Sequence, residues 1–509
     1  LDTVKNFRHD LVSTTRHAAA LLLVALVQPA LAQEAKPDAP PPTDPPADST
    51  SAPPSEATAP CADQAPKAES KSRLSDEVIG IQPLPERPHL LVETNDHFLS
   101  PGFLSPGCEL PTGAVWRPSL WVFGTNRVAA QYYEDHQTTN AMEVVDRLDL
   151  FAQLNLTGTE RILFGVRPLD HEVDNFRRYS SYNFAAGKGE DGVNFYPQTL
   201  FFEGDFGELF PNHDLHDTKA LDYGFSVGRQ PLFLQEGMFI DSDIIDAVTV
   251  TRNTLNGHGI LNQRITFMYA WDRIHRNNND QEYLVDTKAQ MFGLFTETDL
   301  KVSTIDVDLA YVTTPNDTTE DAFYFAASAA QRLHFPCETV NSTFRVMGSF
   351  PTEHQTLATG KGVLMFGEFS ITPHGTEDVF YWTTFGAAGN CTSPTRGVEA
   401  GGPLSPAAGI LFAKPQIGVY GAPMNTQAND VVGGAIGYQL IRDGIRKQLT
   451  FEIGALQTTD GSHGAAIGFA TQYQQAMGQH CVLKFLGDLV QQESLAPITG
   501  LRVELLTKF

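Results

Sequence analysis

The chain ends Leu501-Arg502-Val503-Glu504-Leu505-Leu506-Thr507-Lys508-Phe509, and the phase of that stretch decides the fold. Counted back from Phe509, one face carries Phe509, Thr507, Leu505, Val503 and Leu501, while the other carries Arg502, Glu504 and Lys508. Successive side chains on a strand point to opposite faces, so this pattern predicts a strand that is apolar on one side and charged on the other. The same period recurs along the chain. Leu148, Leu150, Ala152, Leu154 and Leu156 share a face against Asp149, Gln153 and Asn155. Ile265, Phe267, Tyr269 and Trp271 alternate with Arg264, Thr266 and Asp272, and Ile305, Val307, Leu309 and Tyr311 with Asp306 and Asp308. Leu449, Phe451, Ile453 and Ala455 alternate with Gln448, Thr450 and Glu452. Turn residues punctuate the runs at Thr157-Gly158-Thr159-Glu160, Asn256-Gly257-His258-Gly259, Pro315-Asn316-Asp317 and Asp460-Gly461-Ser462. No long amphipathic helix and no strong internal repeat breaks the pattern. The class is all-β.

A soluble sandwich or propeller hides its apolar face in a core. A transmembrane antiparallel β-barrel turns that face to lipid, keeps the polar face in its lumen and sets aromatics near the strand ends. Tyr132-Tyr133, Tyr269, Trp271, Tyr311 and Phe380-Tyr381-Trp382 fit the second architecture as girdle residues. The last nine residues resemble the terminal strand of bacterial outer-membrane barrels, which ends in an aromatic read by the barrel-assembly machinery. The resemblance makes Phe509 the assembly signal and lipid and that machinery the partners; Thr507 departs from it, standing where an apolar residue is commoner. Spanning strands of about 9–11 residues give roughly 16–18 strands between Trp116 and Phe509, and an even number puts both chain ends on the periplasmic side. A barrel of that size leaves an aqueous channel. It is too small to sheath a multi-haem wire, and with no folded plug domain ahead of it an energised siderophore-type transporter is disfavoured.

The other end of the chain sets the expected compartment, the outer membrane of a Gram-negative-type envelope. Lys5, Arg8 and Arg16 precede an apolar run over residues 18–27 that closes on Ala30-Leu31-Ala32. This is the layout of a secretory signal peptide, 1–32, and the run is shorter than the about 20 residues a spanning helix needs. Residues 33–75, with Pro40-Pro41-Pro42, Pro45-Pro46 and Pro53-Pro54, cannot bury enough surface to offset ordering and read as a disordered Pro/Ala-rich periplasmic linker. An irregular lead-in, 76–112, then precedes a barrel expected over 113–509. Cys61 lies too far along to be a lipoprotein's lipid-bearing residue. The whole chain has 509 residues and a net charge of −25, which argues against nucleic acid as a partner because no basic excess exists to displace phosphate counterions. Its five cysteines include no Cys-x-x-Cys, which disfavours zinc-ribbon and thioredoxin-like readings.

Within the barrel, Tyr223-Gly224-Phe225-Ser226-Val227-Gly228-Arg229-Gln230, followed by Asp246-Ala247-Val248-Thr249-Val250-Thr251-Arg252, resembles the alginate-export type of outer-membrane barrel and, more loosely, related porins. The motif residues are Gly228, Arg229, Gln230, Asp246 and Arg252. The resemblance implies a channel, of 18 strands in that group, without carrying alginate, which would want a strongly basic lumen. Arg229 falls in phase with outward Phe225 and Val227, and Arg252 with outward Val248 and Val250, so either a bulge re-aims them or they snorkel at the membrane edge.

The face opposite the apolar set gives a lumen census: Arg147, Arg167, Arg264, Arg345, Lys484 and Arg502 against Asp149, Asp306, Asp308, Glu368, Glu452, Asp488 and Glu504. The two signs nearly balance, so they either set a transverse field that orients polar solutes or form ion pairs that stiffen the wall. The segment 387–416, rich in Gly, Pro, Ser and Ala, is far longer than a hairpin needs. Its patch Ile410-Leu411-Phe412-Ala413 predicts a loop folded inward to constrict the pore, with Ile410, Leu411 and Phe412 on the lumen wall; a hairpin over the rim or an extra strand over 408–413 is the alternative.

Three other clusters stand out. His213-Asp214-Leu215-His216-Asp217 is metal-competent without diagnostic spacing, and Asn277 to Asp280 and Asn316 to Asp321 read as acidic turns, so no metal or other cofactor is expected. Ser462-His463 is the nearest nucleophile–base pairing, but neighbours on a strand point apart, so no enzyme is expected. Cys337 and Cys391 could form a disulfide across exposed loops, with Cys108 and Cys61 as other partners. The leading function is a porin-like channel for passive diffusion of small hydrophilic solutes. Its alternatives are an alginate-like polysaccharide export channel and a structural or adhesive barrel with a closed pore. A homo-oligomer fits by analogy with porin trimers, although no sequence feature shows a subunit interface.

Overall fold

The computed structural model describes residues 87–509 except 101–103, 136–139, 174–175, 215–219, 278–282, 287, 316–319, 336–338, 357, 398, 462–463 and 494. The expected signal peptide, linker and early lead-in lie outside the described residues, as do His216, Asp217, Cys61, Cys337, Ser462 and His463.

Eighteen antiparallel strands close into a barrel. They are β1 (Ser119–Glu134), β2 (Asn140–Asn155), β3 (Arg161–Val166), β4 (Pro197–Asp205), β5 (Tyr223–Leu234), β6 (Ile240–Gly257), β7 (Ile260–Asp272), β8 (Gln290–Leu300) and β9 (Ser303–Thr313). There follow β10 (Ala322–His334), β11 (Thr339–Pro351), β12 (Gly362–Ile371), β13 (Val379–Cys391), β14 (Ala428–Arg442), β15 (Lys447–Thr458), β16 (Ala465–Met477), β17 (Cys481–Gln492) and β18 (Ile498–Lys508). Pairing from Thr499↔Glu134 to Lys508↔Thr125 joins the last strand to the first. Closure removes the exposed edges that an open sheet of this width would present. Residues 113–118, expected in the barrel, belong to the lead-in instead: Val115–Trp116 pair with Cys108–Glu109.

The alternation in the sequence becomes an inside and an outside. On β18, Leu501 is exposed while Arg502 and Glu504 are buried; on β15, Phe451 and Ile453 are exposed while Glu452 is buried. Exposed Phe267, Phe292, Met365, Ile436, Ile467 and Phe469 continue the outer apolar surface around the ring. The end carrying Phe509 has tight turns such as 258–259, 301–302 and 478–480, and the opposite end carries the long connections 167–196, 273–289 and 392–427. Two of the expected girdle residues point the other way: Tyr133 is buried inside, and Tyr381 donates its hydroxyl to inward Glu452 at 2.6 Å.

No bulge re-aims Arg229 or Arg252. The β5–β6 register runs unbroken from Tyr223↔Arg252 to Leu232↔Asp243, so Arg229 stays on the outer face opposite Asp246. The two neutralise each other in a forked pair, Nε to Oδ1 at 2.8 Å and Nη2 to Oδ2 at 2.9 Å, with the Tyr196 ring 5.0 Å from the guanidinium. Arg252 lies over the Tyr223 ring at 4.7 Å and donates to Asp222 O at 2.8 Å. A charge facing lipid is thus handled by a cross-strand partner at Arg229 and by an aromatic rim at Arg252. Gly228 makes the close approach beside it. Its φ is +124°, and a Cβ there would lie 2.4 Å from Leu200 O. Gly228→Ala should therefore destabilise the barrel by about 2 kcal/mol or more, seen as a lower temperature for losing the folded band in a heat-modifiability gel.

Candidate functional site: the lumen and its inward loop

Two connections from the long-loop end fold into the barrel. The first is the β5–β6 turn, where Gln235 and Glu236 both take left-handed backbone, with φ of 53° and 52°. Its side chains reach across the lumen. Gln235 Nε2 donates to Asp308 Oδ2 on β9 at 2.7 Å, and Glu236 pairs with Arg345 on β11 at 2.6 Å.

The second is 392–427, the segment expected to turn inward, with bounds shifted because β13 runs on to Cys391 and β14 begins only at Ala428. Leu404, Ala408, Leu411, Phe412, Ile417, Tyr420 and Met424 are all buried, most of them in one cluster with wall residues Phe385, Leu456, Ala470 and Val490. Phe412 meets Phe385 edge-on at 5.4 Å. Ile410 is only partly buried against that cluster.

Charged wall residues hold the loop. The Glu452 carboxylate accepts Ile410 N at 3.0 Å and Leu411 N at 2.8 Å. Gly409, at φ +132°, permits this approach, since a Cβ would sit 2.5 Å from Glu452 Oε2. Tyr420 donates its hydroxyl to Asp488, and burial first, then that carboxylate, push the phenol well above its ordinary pKa. Arg127 donates to Pro415 O at 3.0 Å, Arg147 to Gln416 O at 3.1 Å and Gln131 to Ile417 O at 3.3 Å, while Glu143 accepts Val419 N at 2.8 Å. Arg396, fully buried, ties both inward elements together. It donates to Gly237 O at 2.5 Å and Met238 O at 3.2 Å in the turn, to Gly401 O at 2.7 Å and Ser405 O at 3.1 Å in the loop, and pairs with Asp241 at 3.3 Å.

The thirteen census residues now have addresses. Arg147, Asp149 and Arg167 form one group, with Asp149 accepting Arg147 Nε at 2.8 Å and Arg167 Nε at 2.7 Å. Arg502 and Glu504 pair on β18 at 2.5 Å, and Arg127 of β1 completes that group at 2.7 Å from Glu504. Glu452 and Asp488 are loop anchors. Asp306 accepts Ser328 Oγ at 3.0 Å, Arg345 bridges Glu236 and Glu368, and Arg264 pairs with Glu297 near the short-turn end. Lys484 alone of the thirteen has no hydrogen bond or ion pair among the described residues, and it lines a cavity of about 220 Å³ with Arg127, Arg502, Glu504, Gln472 and the loop's Ile410, Ala413 and Pro415. Arg127, Gln131, Glu143, Arg396 and Tyr420 went unread in the sequence. Arg127 and Gln131 share the phase opposite Val128, Ala130 and Tyr132, which is the signal that could have found them.

Around the ring the signs are interleaved: Lys484, Arg502, Arg127, Arg147 and Arg167 lie on or just beyond β17, β18, β1, β2 and β3 together with Asp488, Glu504, Glu143 and Asp149, and Glu297, Asp306, Asp308 and Glu368 lie on β8, β9 and β12 with Arg264 on β7 and Arg345 on β11. In a ring of eighteen, β9 faces β18. On the side of the expected disulfide, Cys391 carries a free, buried thiol directed at Met347 O, and Cys108 is free and exposed.

No family model matches the sequence and no curated protein matches it. Solved structures do match in three dimensions. A BenF-like porin from Pseudomonas fluorescens Pf-5 aligns at 9% identity over 76% of this chain and 97% of its own, with a TM-score of 0.51. The chain has the fold of an outer-membrane porin. Two further porin-fold matches come from Pseudomonas aeruginosa: OccK2 (OpdF) in complex with glucuronate, at 8% identity, 77% and 98% coverage and a TM-score of 0.52, and OpdK with vanillate, at 10%, 76%, 98% and 0.51. These support the porin fold, and the alginate-export likeness of 223–252 rests on those residues alone. In porin-fold barrels short turns are periplasmic and long loops extracellular, so the inward turn and the 392–427 loop enter from outside.

Proposed function

We propose that the protein is a passive channel of the outer membrane for small hydrophilic solutes, and that the solutes it favours are small carboxylates. The carrying observation is Lys484. It is a half-buried ammonium without an ion-pair partner, beside Arg127 and Arg502, whose shared acid Glu504 they already occupy, and across a cavity of about 220 Å³ from aliphatic Ile410, Ala413 and Pro415. A cation on one side and an apolar wall on the other suit an amphipathic anion. Two of the similar channels carry glucuronate and vanillate in their structures, and both molecules are carboxylates.

Planar-bilayer recordings test the reading. The expected result is stable conductance steps and anion preference in a salt gradient. Lys484→Glu should lower the anion-to-cation permeability ratio about twofold or more. An unchanged reversal potential would remove Lys484 from the solute path. Absence of any conductance would favour the closed structural barrel, for which the apolar loop core is the supporting feature.

A further inference from the structure

Where the last strand of a barrel meets the first, no turn joins the pair. Here β18 covers the edge of β1 from Glu134 to Thr125, and Phe509 adds one reciprocal pair of bonds with Gly124, at 2.8 and 3.1 Å. The first strand starts earlier, at Ser119, so its residues toward the periplasm extend past the stretch that β18 covers. The lead-in fills that place. Val92 pairs with Val122 and Glu93 with Trp121, antiparallel to β1, in line with β18 and in the same direction. Thr94 N donates to Leu120 O at 3.0 Å, and Leu120 N returns a bond to Thr94 Oγ1 at 2.9 Å. Exposed Val92 lies beside outward Val122, and the shielded Glu93 carboxylate lies beside inward Trp121, so the alternation of the wall carries on as though β18 were prolonged.

The segment is fastened on both sides of its short ladder. Trp121 Nε1 donates to Asp96 O at 2.7 Å, and Phe98 meets the indole edge-on at 5.4 Å. The Glu93 carboxylate accepts Arg87 Nη1 at 2.9 Å and Leu90 N at 3.0 Å, with His97 Nδ1 2.9 Å away. The Arg87 contact, ahead of the others, holds its pKa down to about 2, so the anchor keeps its charge through any pH the envelope meets.

We propose that residues 92–95 are a strap that seals the seam of the barrel at its periplasmic rim. The edge it covers would otherwise present unpaired N–H and C=O groups able to accept an extended segment of another chain. With the strap off, the seam frays upward from Phe509, while strand pairs elsewhere keep their turns and stay closed.

Hydrogen exchange on the full-length protein in detergent tests this. Thr94→Pro removes the N–H that bonds Leu120 O. Amides of 503–508 should then exchange about tenfold faster or more, with β10–β11 amides unchanged. Wild-type rates at 503–508, or equal acceleration in β10–β11, would overturn the proposal. Should Thr94→Pro fail to assemble, a Val92→Cys/Val122→Cys pair in a Cys108→Ser background decides. Slower seam exchange in the oxidised than in the reduced form supports the strap, and equal rates overturn it.

Discussion

Excising residues 403–425 and joining Gly402 to Thr426 through two glycines should raise single-channel conductance about twofold or more, because an 18-strand barrel has an aqueous bore once nothing fills it. The cut is placed by geometry. Gly402 N donates to Thr426 Oγ1 at 2.8 Å, so the ends to be joined already touch. Arg396, Thr395 and the β13 and β14 strands stay, Arg396 losing Ser405 O, and the wall loses the apolar contacts of Leu404, Leu411, Phe412, Tyr420 and Met424 together with the bonds of Arg127, Gln131, Glu143 and Arg147 to residues 415–419. Glu452 and Asp488, which bonded the loop, would be left facing water and would hydrate. A variant that assembles by heat-modifiability yet conducts like the parent would mean that solutes do not pass where the loop lies. The same variant separates two accounts of Lys484: if its cavity depends on the loop's aliphatic wall, carboxylate block should weaken while conductance rises.

How much of this was legible in the sequence follows from what period two can and cannot encode. Alternation along Leu501–Phe509 and its sister segments specifies which side chains face lipid, because a one-residue slip would move a whole strand's apolar set to the wrong side. Of the census residues, Glu452 and Asp488 bond the loop, and Asp308 and Arg345 bond the turn. Alternation carries nothing about angular position. It could not say that Arg502 and Glu504 would share a group with Arg127, or that Arg345 would stand between Glu236 and Glu368, since both depend on strand order and closure. Nor could it say that Glu452 and Asp488 serve the loop, because their partners are the backbone of Ile410 and Leu411 and the hydroxyl of Tyr420 in another part of the chain. The inward fold of 392–427 was readable from a cruder signal, an apolar patch that water would penalise. Its length was misread at both ends: Asn390 and Cys391 still pair with Asn429 and Ala428, and Gly-rich composition does not exclude a strand. Arg229 misled for a related reason. Phase correctly put it outside, and the neutralising Asp246 lay in the next strand, visible only once the two were paired.

Arg396→Met should loosen the whole lumen structure, because it removes one partner of a fully buried ion pair together with the donor to four main-chain carbonyls. Breaking a buried pair from one side costs about 3–5 kcal/mol, since the remaining charge keeps its desolvation penalty. Here that charge is Asp241, buried beside Ser242. The guanidinium is also the bond between the two inward elements, reaching Gly237 and Met238 of the turn and Gly401 and Ser405 of the loop, so the two should come apart where it is lost. Around the ring each strand keeps its neighbours, and the barrel should persist. The expected phenotype is an assembled protein with a lower heat-modification temperature, rapid flicker between conductance levels and faster exchange at Leu404 and Ala408. Adding Asp241→Leu removes the stranded carboxylate, and a matched apolar pair costs far less than half of an ionic one. The double variant should regain part of the thermal stability but not the quiet conductance, because the carbonyls of Gly237 and Gly401 still lack their shared donor. Quiet, wild-type-like channels in Arg396→Met would show that the loop is held by its apolar core and by its wall anchors, Glu452 and Asp488 among them, and that the central guanidinium is dispensable to the pore.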